Sequence, residues 1–261
     1  MIQVTELGRL DYSTALRLQQ SLVELRKQGG IGDVLLLLEH TPVVTLGRNA
    51  KRQHVLASDA RLAEAGVEVF ECDRGGDVTY HGPGQLVGYP IFDLRGFQPA
   101  IGAVEFVRRL EQALIRTCAD FAIAAERAAG MTGVWTSTPS PQRHTEKAKA
   151  RGKIAAIGVH ISRGVTSHGF ALNVNTDLSY FDLIVPCGLA AKPVTSMAKE
   201  LGRAVSMEEV AQAAARHFGK VFGREVVWAK SLDELAGRDA DVPLRLPEEL
   251  RRLRGDDTTW A

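Results

Sequence analysis

The chain has 261 residues, of which 45% are hydrophobic, enough for the core of one large domain or two small ones. Its formal net charge of +1 gives no overall attraction to nucleic acid or to an anionic membrane. No apolar run approaches the ~20 residues of a membrane span, no signal-peptide pattern is visible, and the three cysteines are widely spaced. We therefore expect a reduced, cytoplasmic protein that binds neither nucleic acid nor membrane.

The first elements follow from apolar spacing. Apolar residues recur at helical spacing between 12 and 25, and two glycines follow, which predicts a helix that ends before them. The run 33–38 is almost continuously apolar, as in a strand that is buried on both faces. Ser58 is a favourable N-cap and predicts a short helix that ends near Gly66.

The remaining elements alternate between strands and helices. Further strands are predicted in chain order at 67–72, 86–92, 133–135, 153–162 and 168–175. A core-facing helix is predicted at 101–120, with an apolar stripe made of Val104, Val107, Leu110, Leu114 and Cys118. A last helix begins after Ser206, where the sequence fits a capping box. This order favours an α/β fold of the α+β kind, with a mixed sheet and flanking helices.

Two segments carry no predicted core element. The stretch 136–151 is polar and contains two prolines, so we expect an exposed loop there. The stretch after Ala229 is rich in charge and proline. We therefore expect one domain over 1–228 and a charged C-terminal tail of unknown function over 229–261.

The run from Arg74 to Gln85 is the most informative part of the sequence. It holds four glycines, a proline, a histidine and an arginine in twelve residues, directly before an apolar strand. Glycine lets the backbone approach a ligand closely, so the run favours a binding surface. The alternative is a glycine-rich hairpin that only turns the chain.

Cys187 is the candidate nucleophile. Its neighbours Pro186 and Gly188 predict a tight turn that presents the side chain, whereas Cys118 on its helix stripe is expected to be a core residue. The reactive form is the thiolate, and because a free cysteine has a pKa of ~8.5, a nearby cation would activate it. Lys153 heads an apolar strand and is the candidate cation, although such a lysine is commonly only a solubilising charge. Spacing alone does not bring the two residues together.

Two histidines, His81 and His168, raise the question of a metal site. The sequence has no pair of histidines or cysteines at the spacing of zinc ligands, and the glycine-rich run lacks the lysine and hydroxyl residue of a phosphate-binding loop. We therefore expect no metal and no cofactor. For His81, a role as proton relay and a purely structural role both stay open.

Four long stretches resemble the lipoyl(octanoyl) transferase family, the octanoyl-acyl-carrier-protein:protein transferases, and they keep the order of the family's motifs. The stretches are Glu39–Arg48, Arg74–Gln85, Lys153–Gly158 with His168–Asn175, and Ile184–Gly188. The resemblance implies the α/β architecture that biotin and lipoate protein ligases share. It weakens in 137–151 and after about 225.

The resemblance also implies a site and a reaction. Cys187 would carry the acyl group as a thioester, with Lys153 beside it. The implied acyl pocket consists of Arg74, Gly75, Gly76, Asp77, Val78, Thr79, Tyr80, His81, Ala156, Ile157, Gly158, Gly169, Phe170 and Ala171. The implied donor is octanoyl-acyl carrier protein. The implied acceptors are lipoyl domains, those of the E2 subunits of 2-oxoacid dehydrogenases and the H protein of glycine cleavage. We expect a monomer.

Three other functions compete with this interpretation. An ATP-dependent lipoate–protein ligase shares the fold, but an adenylate route needs no thiol nucleophile. A thioesterase would transfer the acyl group to water in place of an amine. A non-catalytic module that binds acylated protein would form no covalent adduct.

Overall fold

The computed structural model describes residues 1–136, 152–185 and 193–235. The strands in these ranges are β1 (Ile2–Leu10), β2 (Asp33–His40), β3 (Val43–Leu46), β4 (Glu68–Glu71), β5 (Val78–His81), β6 (Gln85–Ile91), β7 (Ala125–Ala128), β8 (Met131–Thr136), β9 (Lys153–Ser162), β10 (Val165–Asn173) and β11 (Val226–Trp228). The helices are α1 (Tyr12–Lys27), α2 (Asp59–Glu64), α3 (Ala103–Asp120), α4 (Met197–Leu201), α5 (Met207–Phe222) and α6 (Leu232–Leu235). Short 3-10 turns lie at Arg52–His54, Leu94–Gly96 and Leu178–Leu183.

A large mixed sheet forms the centre of the described chain. Its strand order is β11-β1-β2-β6-β10-β9-β8-β7. β1 runs parallel to β2 and β11, whereas the other neighbours are antiparallel. The prediction of a mixed sheet with flanking helices is confirmed.

Helices cover both faces of this sheet, and β2 shows how the sequence divides between them. Its alternate residues Leu35 and Leu37 pack in the core that holds α3 and α5, while Leu36 and Leu38 pack in the core that holds α1. Since side chains alternate along a strand, only an apolar run can serve two cores at once. The expectation of a strand buried on both faces is confirmed.

A small second sheet supports the glycine-rich run. β3 lies in its middle, parallel to β4 and antiparallel to β5. The run begins in the connection between β4 and β5, and the N–H of Gly75 donates to the carbonyl of Val159 at 3.0 Å. That bond holds the connection, here called the glycine-rich loop (residues 74–77), against β9 of the large sheet.

The predicted helices have their expected positions, with one correction on α3. The apolar spacing predicts that Val104 faces the core, but it is 76% exposed, and the buried side begins with Phe106. Val104 is the second residue of α3, and the whole stretch 102–105 at this end of the helix is exposed, so apolar spacing there does not indicate burial. Ser206 caps α5 as predicted, because its Oγ accepts from the N–H of Glu209.

Several sequence expectations fall on residues outside the described ranges. These are the polar stretch from 137 to 151, Cys187 with its turn, and the tail from 236 onward. In the described part of the chain, no helix has the length and apolar character needed to cross a bilayer.

Candidate active site

A narrow cavity lies between the glycine-rich loop and the α1-facing side of β9 and β10. Small residues pair directly across the two strands to form its floor, with Ala156 opposite Ala171 and Gly158 opposite Gly169. A Cβ at Gly158 would meet the Gly75 carbonyl of the glycine-rich loop, whereas one at Gly169 would meet the Gly88 carbonyl of β6. The sequence therefore keeps a slender groove open along the sheet.

The structure brings nearly all the predicted binding residues to this cavity. Those that line it are Arg74, Gly75, Gly76, Asp77, Val78, Thr79, His81, Ala156, Ile157, Gly158, Gly169, Phe170 and Ala171. Lys153 lines it as well. Two stretches of chain that lie about eighty residues apart in sequence, the glycine-rich run and β9, thus form the wall and the floor of the same cavity.

Tyr80 has a different position. Its ring stacks on Tyr180 with 4.8 Å between the ring centres and packs edge-on against Phe181. Because side chains alternate along β5, Thr79 and His81 face the cavity while Tyr80 faces the core under the small sheet. The resemblance covered the whole run and could not separate the two faces of the strand.

Arg74 holds the glycine-rich loop in shape from inside. Its buried guanidinium donates from Nη2 to the main-chain oxygens of Thr45 and Asp77, each at 2.7 Å. Nε reaches the Thr45 hydroxyl at 3.1 Å, and Nη1 reaches the Gly75 carbonyl at 3.0 Å. The planar guanidinium can serve several carbonyls at fixed angles, which an ammonium cannot. Arg74 therefore ties the loop to β3.

The rim of the cavity is joined to the chain that leads toward Cys187. The Nδ1 of His54 lies 2.7 Å from a carboxylate oxygen of Asp77, a cavity residue. The main-chain carbonyl of His54 accepts from the N–H of Val185 at 2.7 Å. The described chain that ends at Val185 is thus anchored beside the glycine-rich loop.

Lys153 is joined to the chain on the other side of Cys187. Its N–H donates to the carbonyl of Pro193 at 2.9 Å, and its carbonyl accepts from the N–H of Thr195 at 3.0 Å. The Lys153 ammonium lies 5.5 Å from the ring centre of Trp135, within cation–π range. Cys187 itself is two residues after Val185 and six before Pro193 in sequence, outside the described ranges.

Two buried histidines lie next to one another at the cavity, which His81 lines, and burial favours the neutral form of both. His40 donates from Nδ1 to the Leu10 carbonyl at 3.0 Å, so its Nε2 accepts from the Tyr89 hydroxyl at 2.6 Å. Burial lowers the pKa of His40 to about 4. Burial, with His40 and Arg74 nearby, also holds the pKa of His81 well below its ordinary value. His81 Nδ1 lies 2.7 Å from Gln85 Oε1, a contact that favours its structural role.

The neutral state of His40 has a consequence for acid stability. An unfolded histidine titrates near pH 6.5 and His40 near pH 4, so between these values the unfolded chain binds more protons. As the pH is lowered from about 7 to about 4.5, this difference in proton binding at His40 should therefore reduce the free energy of unfolding by about 2–3 kcal/mol. Urea titrations should show a smaller loss for His40→Gln than for the parent. Equal losses in both proteins would contradict the assignment.

His168 forms a second polar pair at the cavity wall. Its Nε2 donates to Asp73 at 2.7 Å, and its main-chain N–H donates to Gln19 at 2.8 Å. Burial lowers the pKa of His168, an effect that the Asp73 carboxylate opposes. Because a carboxylate only accepts, the Nε2 of His168 carries a proton that points at Asp73. Its φ is +54°, in the left-handed region that few residues other than glycine adopt.

Four cavity residues were not predicted. They are Tyr12, Val87, Tyr89 and His168. Tyr12 belongs to an apolar helix stripe, which indicates only burial, and Val87 and Tyr89 belong to an apolar strand. Of these four, only His168 could have been added from the sequence, because it directly precedes Gly169, which was predicted to line the pocket.

The floor glycines give a steric prediction. A Cβ added to Gly158 would lie 2.5 Å from the carbonyl oxygen of Gly75, a contact that must displace the glycine-rich loop. Displacing a loop that lines the site misplaces the bound acyl donor, so Gly158→Ala should lower kcat/KM for that donor by about 10²-fold. Gly96→Ala, where a Cβ would meet nothing within 4 Å, should leave kcat/KM unchanged. Steady-state kinetics with both variants check this, and equal values would refute it.

A wider groove of about 950 Å³ lies elsewhere, between α5 and β11. Its lining is mainly charged and includes Glu208, Arg216 and Lys220. It shares no residue with the predicted site, and its open, charged surface does not suit an acyl chain. Size alone therefore does not identify the site in this fold.

Comparison with known proteins agrees with the geometry. The family model for the lipoyl protein ligase A/B catalytic domain matches residues 11–219. The octanoyltransferase of Koribacter versatilis is 59% identical over 257 residues, covering 98% of this chain and 98% of that protein. The octanoyltransferase of Acidobacterium capsulatum is 57% identical over 242 residues, covering 90% and 96%.

The fold agrees with that of a solved lipoylation system. A chain from the structure of a bi-partite lipoate protein ligase and its E2 lipoyl domain, from Thermoplasma acidophilum, superposes with a TM-score of 0.67 at 16% identity. The match covers 99% of this chain and 100% of that one. At this identity the likeness shows the fold, while the close relatives above show the activity. The chain therefore belongs to the octanoyltransferases, acyltransferases with the lipoyl protein ligase A/B catalytic domain.

Proposed function

We propose that this octanoyltransferase works through a thioester on Cys187, with Lys153 moving the protons. One observation supports this best: the cavity floor runs along β9 from Lys153 to Gly158. The described residues on either side of Cys187 are also bonded to this site, Val185 near Asp77 and Pro193 at Lys153. The narrow groove can hold an acyl chain, and Lys153 can act on the thioester at the reacting end of that chain.

In the first half-reaction the Cys187 thiolate attacks the carbonyl carbon of the octanoyl thioester. A new carbon–sulfur bond forms, and the bond to the carrier's phosphopantetheine sulfur breaks. The Lys153 ammonium first favours the thiolate and then gives its proton to the leaving sulfur. One thioester replaces another, so this step is nearly balanced in free energy.

In the second half-reaction the neutral ε-amine of the acceptor lysine attacks the octanoyl-Cys187 carbonyl. A carbon–nitrogen bond forms, the bond to Cys187 breaks, and the sulfur leaves as thiolate. The proton released by the amine goes to Lys153, now uncharged, which restores the starting state. Because an amide is more stable than a thioester, this step runs downhill without ATP.

The proposal includes the partners and the setting. The donor is octanoyl-acyl carrier protein, and the acceptors are lipoyl domains of 2-oxoacid dehydrogenase E2 subunits and the H protein of glycine cleavage. The protein acts as a monomer in the cytoplasm, and residues 1–228 form the catalytic domain.

The donor requirement tests this function. The protein is mixed with a lipoyl domain and either octanoyl-acyl carrier protein without ATP, or free octanoate with ATP. We expect the octanoyl-lipoyl domain, seen by intact mass, only with the acylated carrier. A lipoyl domain whose acceptor lysine is replaced by arginine should stay unmodified.

Each rival predicts a different result. Modification only with octanoate and ATP would indicate a lipoate–protein ligase and overturn the proposal. Release of free octanoate without modification of the lipoyl domain would indicate a thioesterase. Binding of the acylated carrier with no loss of its octanoyl group would indicate a non-catalytic module.

A further inference from the structure

The side chain of Lys153 lies directly across the backbone of Gly133 on the neighbouring strand β8. A Cβ added to Gly133 would lie 2.7 Å from Lys153 Cε and 2.6 Å from the Ala155 carbonyl. The φ of Gly133 is +115°, a region that side-chain-bearing residues rarely adopt. Glycine at 133 thus leaves the space in which the lysine stem lies.

A buried carboxylate holds Gly133 in this conformation. Glu111 of α3 is completely buried, and its Oε1 accepts from the N–H of Gly133 at 3.1 Å. Its Oε2 accepts from Arg108 at 2.8 Å and from Arg127 at 3.0 Å. A buried carboxylate needs such partners, and here two arginines fix it so that the remaining oxygen points at β8.

The pairing of β8 with β9 is irregular at the same place. Val134 pairs with Ala155 but Trp135 pairs with Lys153, so Ile154 is an extra residue on β9. A bulge of this kind turns the neighbouring side chains away from their regular direction. Here it lets Lys153 cross Gly133 and bring its ammonium to 5.5 Å from the indole of Trp135.

We infer that Glu111 and Gly133 are positioning residues for Lys153, and that they hold its ammonium where it acts on Cys187. The inference rests on the proposed role of Lys153. Neither residue touches the substrate in this scheme. Glu111 holds the backbone of Gly133 through its bond to the Gly133 N–H, and Gly133 leaves the space that the lysine stem occupies.

The test measures Cys187 reactivity and needs no substrate. Iodoacetamide alkylation of the peptide that contains Cys187 is followed by mass spectrometry as a function of pH, which separates it from Cys72 and Cys118. Loss of a cation near a thiolate raises the pH midpoint, by about one unit or more for a charge within a few ångströms. We expect such a rise in Lys153→Met and a comparable one in Gly133→Ala.

Gly130→Ala is the matched control. Gly130 lies in the turn between β7 and β8, three residues before Gly133, also with a positive φ of +72°, but an added Cβ would meet nothing within 4 Å. An alanine at 130 also has to adopt a positive φ, but it does not touch Lys153. Its pH midpoint should equal that of the parent, and combining Gly133→Ala with Lys153→Met should give no further rise.

The outcomes separate the two claims. No rise in Lys153→Met would contradict the role proposed for Lys153 itself. A rise in Lys153→Met with none in Gly133→Ala, or an equal rise in Gly130→Ala, would overturn the positioning role. If Gly133→Ala does not fold, Glu111→Met, which cannot accept from the Gly133 N–H, serves in its place, and an unchanged midpoint in that variant would equally overturn it.

Discussion

Replacing Lys153 by methionine is expected to slow octanoyl transfer by about 10²–10⁴-fold, the range that a positioned proton-transfer group contributes. Methionine keeps the apolar stem that lies across Gly133 but removes the ammonium near Trp135. The fall should appear in the single-turnover rate of each half-reaction, because the lysine moves a proton in both. Rapid-quench measurement of acyl-enzyme formation and of its transfer to a lipoyl domain checks this.

Lys220 provides the control for that experiment. It is an exposed lysine on α5, far from the predicted site in the fold and part of the charged groove. Lys220→Met should transfer octanoyl at the parent rate. If Lys153→Met keeps more than half of the parent rate in both half-reactions, Lys153 is only a solubilising charge at a strand end.

Arg74→Met is expected to damage both stability and activity. The change leaves the Thr45 hydroxyl and the carbonyls of Thr45, Gly75 and Asp77 without their shared donor. Buried acceptors left in this way cost about 1–3 kcal/mol each, so we expect a loss of about 3 kcal/mol or more in the free energy of unfolding. The glycine-rich loop would lose its shape, and small misplacements near a reacting centre cost about 10²-fold in rate.

Urea denaturation and transfer kinetics measure the two effects of Arg74→Met separately. Arg61→Met is the control, because Arg61 is an exposed arginine that pairs with the exposed Glu64. Arg74→Lys should behave much like Arg74→Met, since an ammonium cannot reproduce the guanidinium's bonds. Full activity in either Arg74 variant would refute the claim that Arg74 shapes the loop.

The sequence predicts the main elements of this fold because their apolar spacing is regular. The strand at β9 was predicted at 153–162, as observed, and α5 begins after Ser206, as observed. Strands such as β3 and β5 were not predicted as elements. They are four residues long and lie inside motifs rich in polar and glycine residues, where an alternating pattern is too short to read.

The candidate site was predicted largely from long motifs. The residues that this prediction wrongly included or missed show which information a motif does not contain. The motifs placed Arg74 and Gly158 correctly beside the cavity but included Tyr80, which faces the other side of its strand. They gave no sign of Glu111, because a carboxylate on the buried face of α3 makes sense only once two arginines and β8 are packed around it. Contacts between distant segments are set by packing, and local spacing does not encode them.

The central claim is that Cys187 carries the octanoyl group between donor and acceptor. Its most direct test is the mass of the intact protein after mixing with octanoyl-acyl carrier protein in the absence of a lipoyl domain. We predict a gain of one octanoyl group, mapped to the peptide that contains Cys187, removed by neutral hydroxylamine and absent in Cys187→Ser. An unmodified Cys187 in a protein that still transfers octanoyl, or full transfer by Cys187→Ser, would contradict the account.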